Sequence, residues 1–382
     1  MDENQNLNDL VIVSFKKENE KSYNHSLNIY YRNYGLDLLK IFAMINIINL
    51  HINNSFLNLR VKKNNDKYKK IILLEAFSFW PVDAFGLISG IIGYKKCKFS
   101  NAIYIYLEYF YYSIIISLYL YNQLLLDSKN LFLSLYPLGI YRYWFVNAYI
   151  LMYLFLPFIT KSINSIDKNH FSKIIIAYLF IYSIYHILIE YNIGKTNFDF
   201  INRGYSSIWL LILFIIGAYI GIYYKNSHFF SNIIYYFLIY ILFSFITYIH
   251  AIYNIQKNYQ PNKLLMEYYS PTIMIQAFSL IFFFKNLQIK NKYLIKIISF
   301  LNPLNFNVSL IHLRIFRSNL QINIKLFNYI KQLNHNYLFF KIYGISFIIY
   351  LFCAFFDYFR HLLFKLLKIK TICIYIEKKL FD

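Results

Sequence analysis

Two stretches decide the fold: IWLLILFIIGAYIGIYY, residues 208–224, and IIYYFLIYILFSFITY, residues 233–248. Neither contains a charged residue. In the hydrocarbon of a bilayer every backbone N–H and C=O must be satisfied within the protein, so a spanning segment is a helix or part of a closed barrel. Barrel strands alternate apolar and polar residues, and these two runs do not alternate. A spanning helix needs about 20 mostly apolar residues. Stretches of that order recur at about 36–57, 71–93, 101–122, 143–160, 171–190, 206–224, 229–252, 270–286, 297–316 and 337–358. The expected fold is all-α, a polytopic membrane helix bundle of about ten transmembrane helices.

Composition agrees. The 382 residues are 58% hydrophobic with a mean hydropathy of +0.40, and 15% are charged. Soluble domains carry about 25% charge. The net charge of +21 would suggest nucleic acid in a soluble protein. Here the Lys and Arg residues lie between apolar runs or at the chain ends, which is the pattern of topology signals and lipid headgroup contacts. Membrane lipid, and no nucleic acid, is the expected partner.

The chain divides into a polar N-terminal tail (1–34), a membrane domain (35–358) and a basic amphipathic C-terminal tail (359–382) that lies on the membrane surface. The basic segments 95–98, 285–296 and 360–379 fall on one side if the N-terminus is cytoplasmic, so both termini are expected there. The basic loop 60–70, with Arg60, Lys62, Lys63, Lys67, Lys69 and Lys70, is the exception, and the loop with Glu190, Lys195, Asp199 and Arg203 is balanced. Cys97, Cys353 and Cys373 match neither zinc nor redox spacing, so no metal is expected.

An ionisable group inside a span is costly and marks function by default. The first span concentrates such groups: Asp37, Lys40, Asn46, Asn49 and His51 fall within fifteen residues. Lys40 and His51 are eleven apart, close to three helical turns, so they share a face about 16 Å apart along the axis. Asp37, one turn before Lys40, is placed to neutralise it. A bland reading also fits, with Asp37 and Lys40 as interfacial anchors and His51 at a helix end. The second span carries Asp83 and Ser89 in VDAFGLISGIIGY (82–94). Its small residues suit close helix packing as well as a catalytic serine. Pro81 is expected to kink this span. The fourth span, entered through Arg142, reads YWFVNAYILMYLFLPF (143–158), with Trp144, Asn147 and Tyr149 as a polar and aromatic patch at the membrane edge. His312 in NVSLIHLRIF is either a packing residue or a further functional group.

These segments resemble the acyltransferase-3 family of integral membrane O-acyltransferases, especially members that modify surface polysaccharides. Arg32 to Lys40 and on to His51 resembles that family's first helix, with a basic residue followed by ten residues and His. Lys40 stands where most members carry Arg. VDAFGLISG resembles the second-helix Phe-x-x-x-Ser-Gly pattern, YWFVNAYILMYLFLPF the Trp-Phe…Tyr…Pro segment, and VSLIHL the late Tyr-x-Ile-His pattern, with Ser309 in place of the usual aromatic. The four occur in family order over about 32–315.

The resemblance implies transfer of an acyl group, commonly acetyl, from cytoplasmic acetyl-CoA as co-substrate to a hydroxyl of an envelope polysaccharide or glycolipid, in the inner (plasma) membrane. His51 is the expected general base, because neutral imidazole suits proton removal near pH 7. Lys40 is expected to pair with CoA phosphates, with Asp37 beside it. Asp83, Ser89, Arg142, Trp144, Asn147, Tyr149 and His312 are the expected substrate-binding residues. Two rival readings remain at this level: a transporter or flippase of lipid-linked sugars, although the paired broken helices of such folds are not visible, and a family member that has lost activity.

Overall fold

In a computed structural model the described residues are 32–57, 66–95, 98–138, 143–193, 201–224, 232–257, 263–318, 328–329, 332 and 337–381. The polar tail 1–31 and Arg60, Lys62, Lys63, Lys96, Cys97, Arg142, Lys195 and Asp199 lie outside them. The described residues are helical with short connectors and form no strand. In chain order the helices are α1 (Tyr34–Leu57), α2 (Asp66–Ser78), α3 (Pro81–Gly93), α4 (Phe99–Asn122), α5 (Ser128–Leu133), α6 (Trp144–Ser165), α7 (Lys168–Leu179) and α8 (His186–Ile193). They continue with α9 (Ser207–Tyr223), α10 (Ile234–Lys257), α11 (Pro271–Lys285), α12 (Lys292–Leu301), α13 (Asn305–Ser318), α14 (Leu338–Leu366) and α15 (Ile369–Phe381).

Among the described residues, eight helical segments are long and apolar enough to cross a membrane: α1, α2 with α3, α4, α6, α7 with α8, α10, α12 with α13, and α14. The other two expected spans are the shorter helices α9 and α11, of 17 and 15 residues. The second span starts at Asp66, five residues before the expected 71. The acidic side chain in its first turn favours a helix start there. It then breaks at Phe79 and Trp80, because Pro81 has no N–H to continue the ladder. The Phe77 carbonyl that Pro81 leaves without its helical donor accepts from Trp80 Nε1 at 3.1 Å and from the Tyr240 hydroxyl at 2.7 Å. Pro303 produces a second break, where a 3-10 turn (Asn302–Leu304) joins α12 to α13.

Two large hydrophobic cores and a smaller one, where α2 meets α10, fill the described bundle. One large core is built by α3, α7, α9, α10 and α11, the other by α2, α4, α13 and α14, and both take residues from α1 and α6. In the first core α3 and α9 meet through glycines. A Cβ on Gly90 would lie 2.0 Å from the Phe214 carbonyl oxygen, and one on Gly217 would lie 2.1 Å from that of Leu87. The small residues of VDAFGLISG therefore let two backbones touch, as membrane helices lacking a hydrophobic driving force require.

The second core encloses charge. Arg360, 1% exposed, donates to Glu108 at 2.6 Å and to both oxygens of Asp357 at 2.7 and 2.9 Å. The Tyr112 hydroxyl donates to Asp357 at 2.7 Å. Arg360 lies inside the bundle because α14 runs on to Leu366, beyond the expected end at 358. The remaining tail is α15, which packs along α4: Glu377 accepts from the Phe99 N–H at 2.6 Å, and Cys373 is buried. At the other end of the bundle Arg203, in the connector before α9, bridges Glu190 of α8 and Glu267 of the α10–α11 connector.

Candidate active site

α1 is unbroken from Tyr34 to Leu57, so the three-turn spacing of Lys40 and His51 is realised in one straight element. Asn33 caps it, accepting from the Leu36 N–H at 3.0 Å. Asp37 is buried and accepts from Lys40 Nζ at 3.1 Å, the ion pair expected from their spacing. Higher on the helix the Asn49 amide donates to Ser78 at 3.0 Å, and Asn46 accepts from the Tyr343 hydroxyl at 3.1 Å. These bonds fix the rotation of α1 against α2 and α14.

With that rotation set, one face of α1 looks onto a cleft of about 460 Å³. Lys40, Met44 and Ile47 line it, spaced four and three residues apart as one helical face requires. α3 adds Phe85, Ser89 and Gly93, α4 adds Asn101 and Glu108, and α6 adds Phe145, Tyr149 and Tyr153. Asn302, Asn305 and Ser309 close the remaining side from the 3-10 turn and α13. One end of the cleft collects Lys40, Gly93, Asn302 and the exposed Lys98. Toward its other end stand Ile47, Phe85, Phe145 and Ser309.

The two histidines meet just beyond that far end. Their rings lie 5.4 Å apart, centroid to centroid. His51 is one turn above Ile47 on α1, and His312 is three residues above Ser309 on α13, so each is about 5–6 Å along its helix from a residue that lines the cleft. His312 is 1% exposed, and its Nδ1 lies 2.6 Å from the Val308 carbonyl oxygen. A carbonyl can only accept, so Nδ1 carries the proton and Nε2 is the basic nitrogen of the neutral ring.

The expected substrate-binding residues separate into groups. Ser89 and Tyr149 line the cleft, and Ser89 Oγ donates to the Phe85 carbonyl at 2.7 Å. The Tyr149 hydroxyl, 3.0 Å from Ser89 Oγ, is then the donor of that second bond. With its proton committed to a backbone carbonyl, Ser89 is a wall residue and not an activated nucleophile. Asp83 is fully buried, away from the cleft lining, and accepts from Trp209 Nε1 at 3.0 Å, tying α3 to α9. Trp144 packs, tilted, in an aromatic group with Tyr205 (4.6 Å) and Tyr268 (5.7 Å), and edge-on to Phe145. Asn147 is half-buried on α6 outside the lining.

The structure also brings in residues that the sequence reading passed over: Lys98, Asn101, Glu108, Asn302 and Asn305. Asn302 and Asn305 flank Pro303 near the start of the span that carries His312. Polar residues at a proline break were the available signal, since irregular backbone at membrane depth is tolerated where it lines a cavity. Among the described residues no cluster of His, Cys, Asp and Glu suits a metal ion.

Comparison with known proteins gives the arrangement its family. The family model described as an acyltransferase domain, acyltransferase-3, matches residues 33–356. The chain belongs to the acyltransferase-3 family. That span runs from the cap of α1 into α14 and includes every wall of the cleft and both histidines. No curated protein and no solved structure matches the chain. The protein is a membrane acyltransferase by family, built as an all-α polytopic bundle.

Proposed function

We propose that this acyltransferase moves an acyl group, acetyl as the simplest case, from acyl-CoA to a hydroxyl of a cell-envelope polysaccharide or glycolipid in the inner membrane. The observation that carries the reading is a single cleft that begins at Lys40 and ends one turn short of the His51–His312 pair. A phosphopantetheine arm has about as many chain atoms as four peptide residues, or about 14 Å extended. That matches the rise of about 16 Å between Lys40 and His51. With both termini cytoplasmic, the Lys40 and Lys98 end faces the CoA pool. The cations take the phosphates as point charges, and Lys40 retains donors beyond the one given to Asp37.

The thioester then lies beside His51. The basic nitrogen of His51 removes the acceptor hydroxyl proton as the oxygen attacks the thioester carbonyl carbon. The tetrahedral intermediate collapses by breaking the C–S bond, and His51 returns the proton to the leaving CoA sulfur. His312 beside it keeps its Nδ1–H on the Val308 carbonyl. Its position against His51 orients the ring of the base. Transfer is direct, since Ser89 lacks an activating base.

The test is to give membranes containing the protein acetyl-CoA labelled in the acetyl group, and to compare surface glycans of cells with and without the protein by mass and NMR. Label in a polysaccharide or glycolipid, released by mild base as acetate, is the expected result. Absence of any acylated product, with sugar flux across the membrane instead, would overturn the reading.

A further inference from the structure

The cleft wall opposite α3 carries polar groups that the reaction does not use. Asn305 is 3% exposed. Its Nδ2 donates to the Lys40 carbonyl at 2.7 Å, which fixes which way the amide points. Among the described residues its Oδ1 then faces no donor, and neither does the Oδ1 of Asn302, although both are shielded from solvent. Both residues line the cleft. A buried carbonyl oxygen without a donor costs about 1–3 kcal/mol, so such groups are found paired in the working state.

The local backbone aligns the two acceptors. Residues 302–304 form a 3-10 turn, in which side chains three apart eclipse. Asn302 and Asn305 therefore stack along one edge of the cleft. Ser309, one turn further toward His312, extends that edge; its hydroxyl donates to the Phe306 carbonyl at 2.7 Å and keeps its lone pairs for a donor. The edge thus presents hydrogen-bond acceptors in file between the cationic end and the histidines. The matching ligand is a chain that carries N–H and O–H donors at intervals. The pantetheine arm of CoA is such a chain, with two secondary amide N–H groups and a hydroxyl between the CoA phosphates and the sulfur.

We infer that Asn302, Asn305 and Ser309 form a rail that reads the pantetheine arm of the acyl donor, so that this enzyme selects a pantetheine-borne thioester over other activated acyl groups. The inference rests on the acyl-CoA reading above and adds to it the residues that recognise the arm.

The experiment measures binding to the purified, detergent-solubilised full chain. Three probes are used: CoA, 3′-phosphoadenosine 5′-diphosphate, which lacks the arm, and pantetheine, which lacks the nucleotide. Asn302 makes no other side-chain hydrogen bond among the described residues, so Asn302→Leu leaves the fold intact; Asn305→Leu is the second variant. Each is expected to weaken CoA and pantetheine by about tenfold, as loss of one buried hydrogen bond implies, and to raise the KM for acetyl-CoA with little change in kcat. Both should leave the nucleotide fragment within about twofold. Lys98→Ala should show the reverse pattern. CoA binding unchanged in both Asn variants of an active enzyme would overturn the rail and leave the acyltransferase reading standing. Equal weakening of CoA and the nucleotide fragment would mean a distorted cleft and would also overturn it. A wild-type protein that transfers acetyl yet binds no CoA would overturn both.

Discussion

The α3–α9 seam and the α1 cleft are built on opposite sides of the same helix, and they solve opposite problems. On one side of α3, Gly86 and Gly90 press against Leu213 and Phe214 with no room for a methyl group. On the other side, Phe85 and Ser89 face a cavity of about 460 Å³. The seam is closed, and apolar apart from the Asp83–Trp209 hydrogen bond. The cleft half is crossed by Asp37–Lys40 and by the Glu108–Asp357–Arg360 network. In lipid, close van der Waals packing holds helices together, and polar side chains interrupt that packing wherever they must find partners. The cavity lies where the interruptions concentrate, and the closed seam supplies the rigidity that keeps it open.

The comparison breaks first at Arg360. Arg360→Met leaves two buried carboxylates without their cation, a change that costs about 3–5 kcal/mol in comparable sites. The apparent melting temperature of the solubilised protein should drop steeply. Adding Glu108→Gln and Asp357→Asn to the same chain should restore part of the loss, because the uncompensated charge is then gone. Next comes the seam. Gly90→Ala puts a methyl carbon 2.0 Å from a backbone oxygen, so α3 and α9 must separate. Overpacking of this kind costs about 1–3 kcal/mol, and acyl transfer should fall with the folded fraction. The smallest effect is at Gly344 on α14, where a Cβ would meet nothing within 4 Å. Gly344→Ala should raise the melting temperature slightly, through a helix propensity gain of up to about 1 kcal/mol. If Gly90→Ala and Gly344→Ala behave alike, the seam is not the constraint described here.

Much of this was legible in the sequence, for physical reasons. The apolar runs are long, and lipid leaves few folds open to them. The Asp37–Lys40–His51 register follows from helix geometry alone, as does the Asp37–Lys40 pair. The glycines of VDAFGLISG pointed to close packing, although not to α9 as the partner. What could not be read was pairing over long separations. His51 and His312 lie 261 positions apart in the chain, and nothing local brings one to the other. Arg360 looked like the start of a basic surface tail, because a charge two residues beyond the expected end of an apolar run reads as an interfacial anchor. Its i, i+3 relation to Asp357 was the available hint. Nor could the sequence show that the Oδ1 of Asp83, expected at the substrate, accepts from Trp209, 126 positions along the chain.

The central claim is that donor binding and proton removal occupy opposite ends of one cleft. The direct measurement pairs acetyl transfer from labelled acetyl-CoA with CoA binding, in the wild-type protein and in His51→Ala. Loss of a positioned general base should cut transfer by about 10²–10⁴-fold, while CoA affinity stays within about twofold, because the proposed phosphate site is at Lys40, about 16 Å away along α1. Transfer that survives the substitution, or CoA binding lost together with it, would contradict the account.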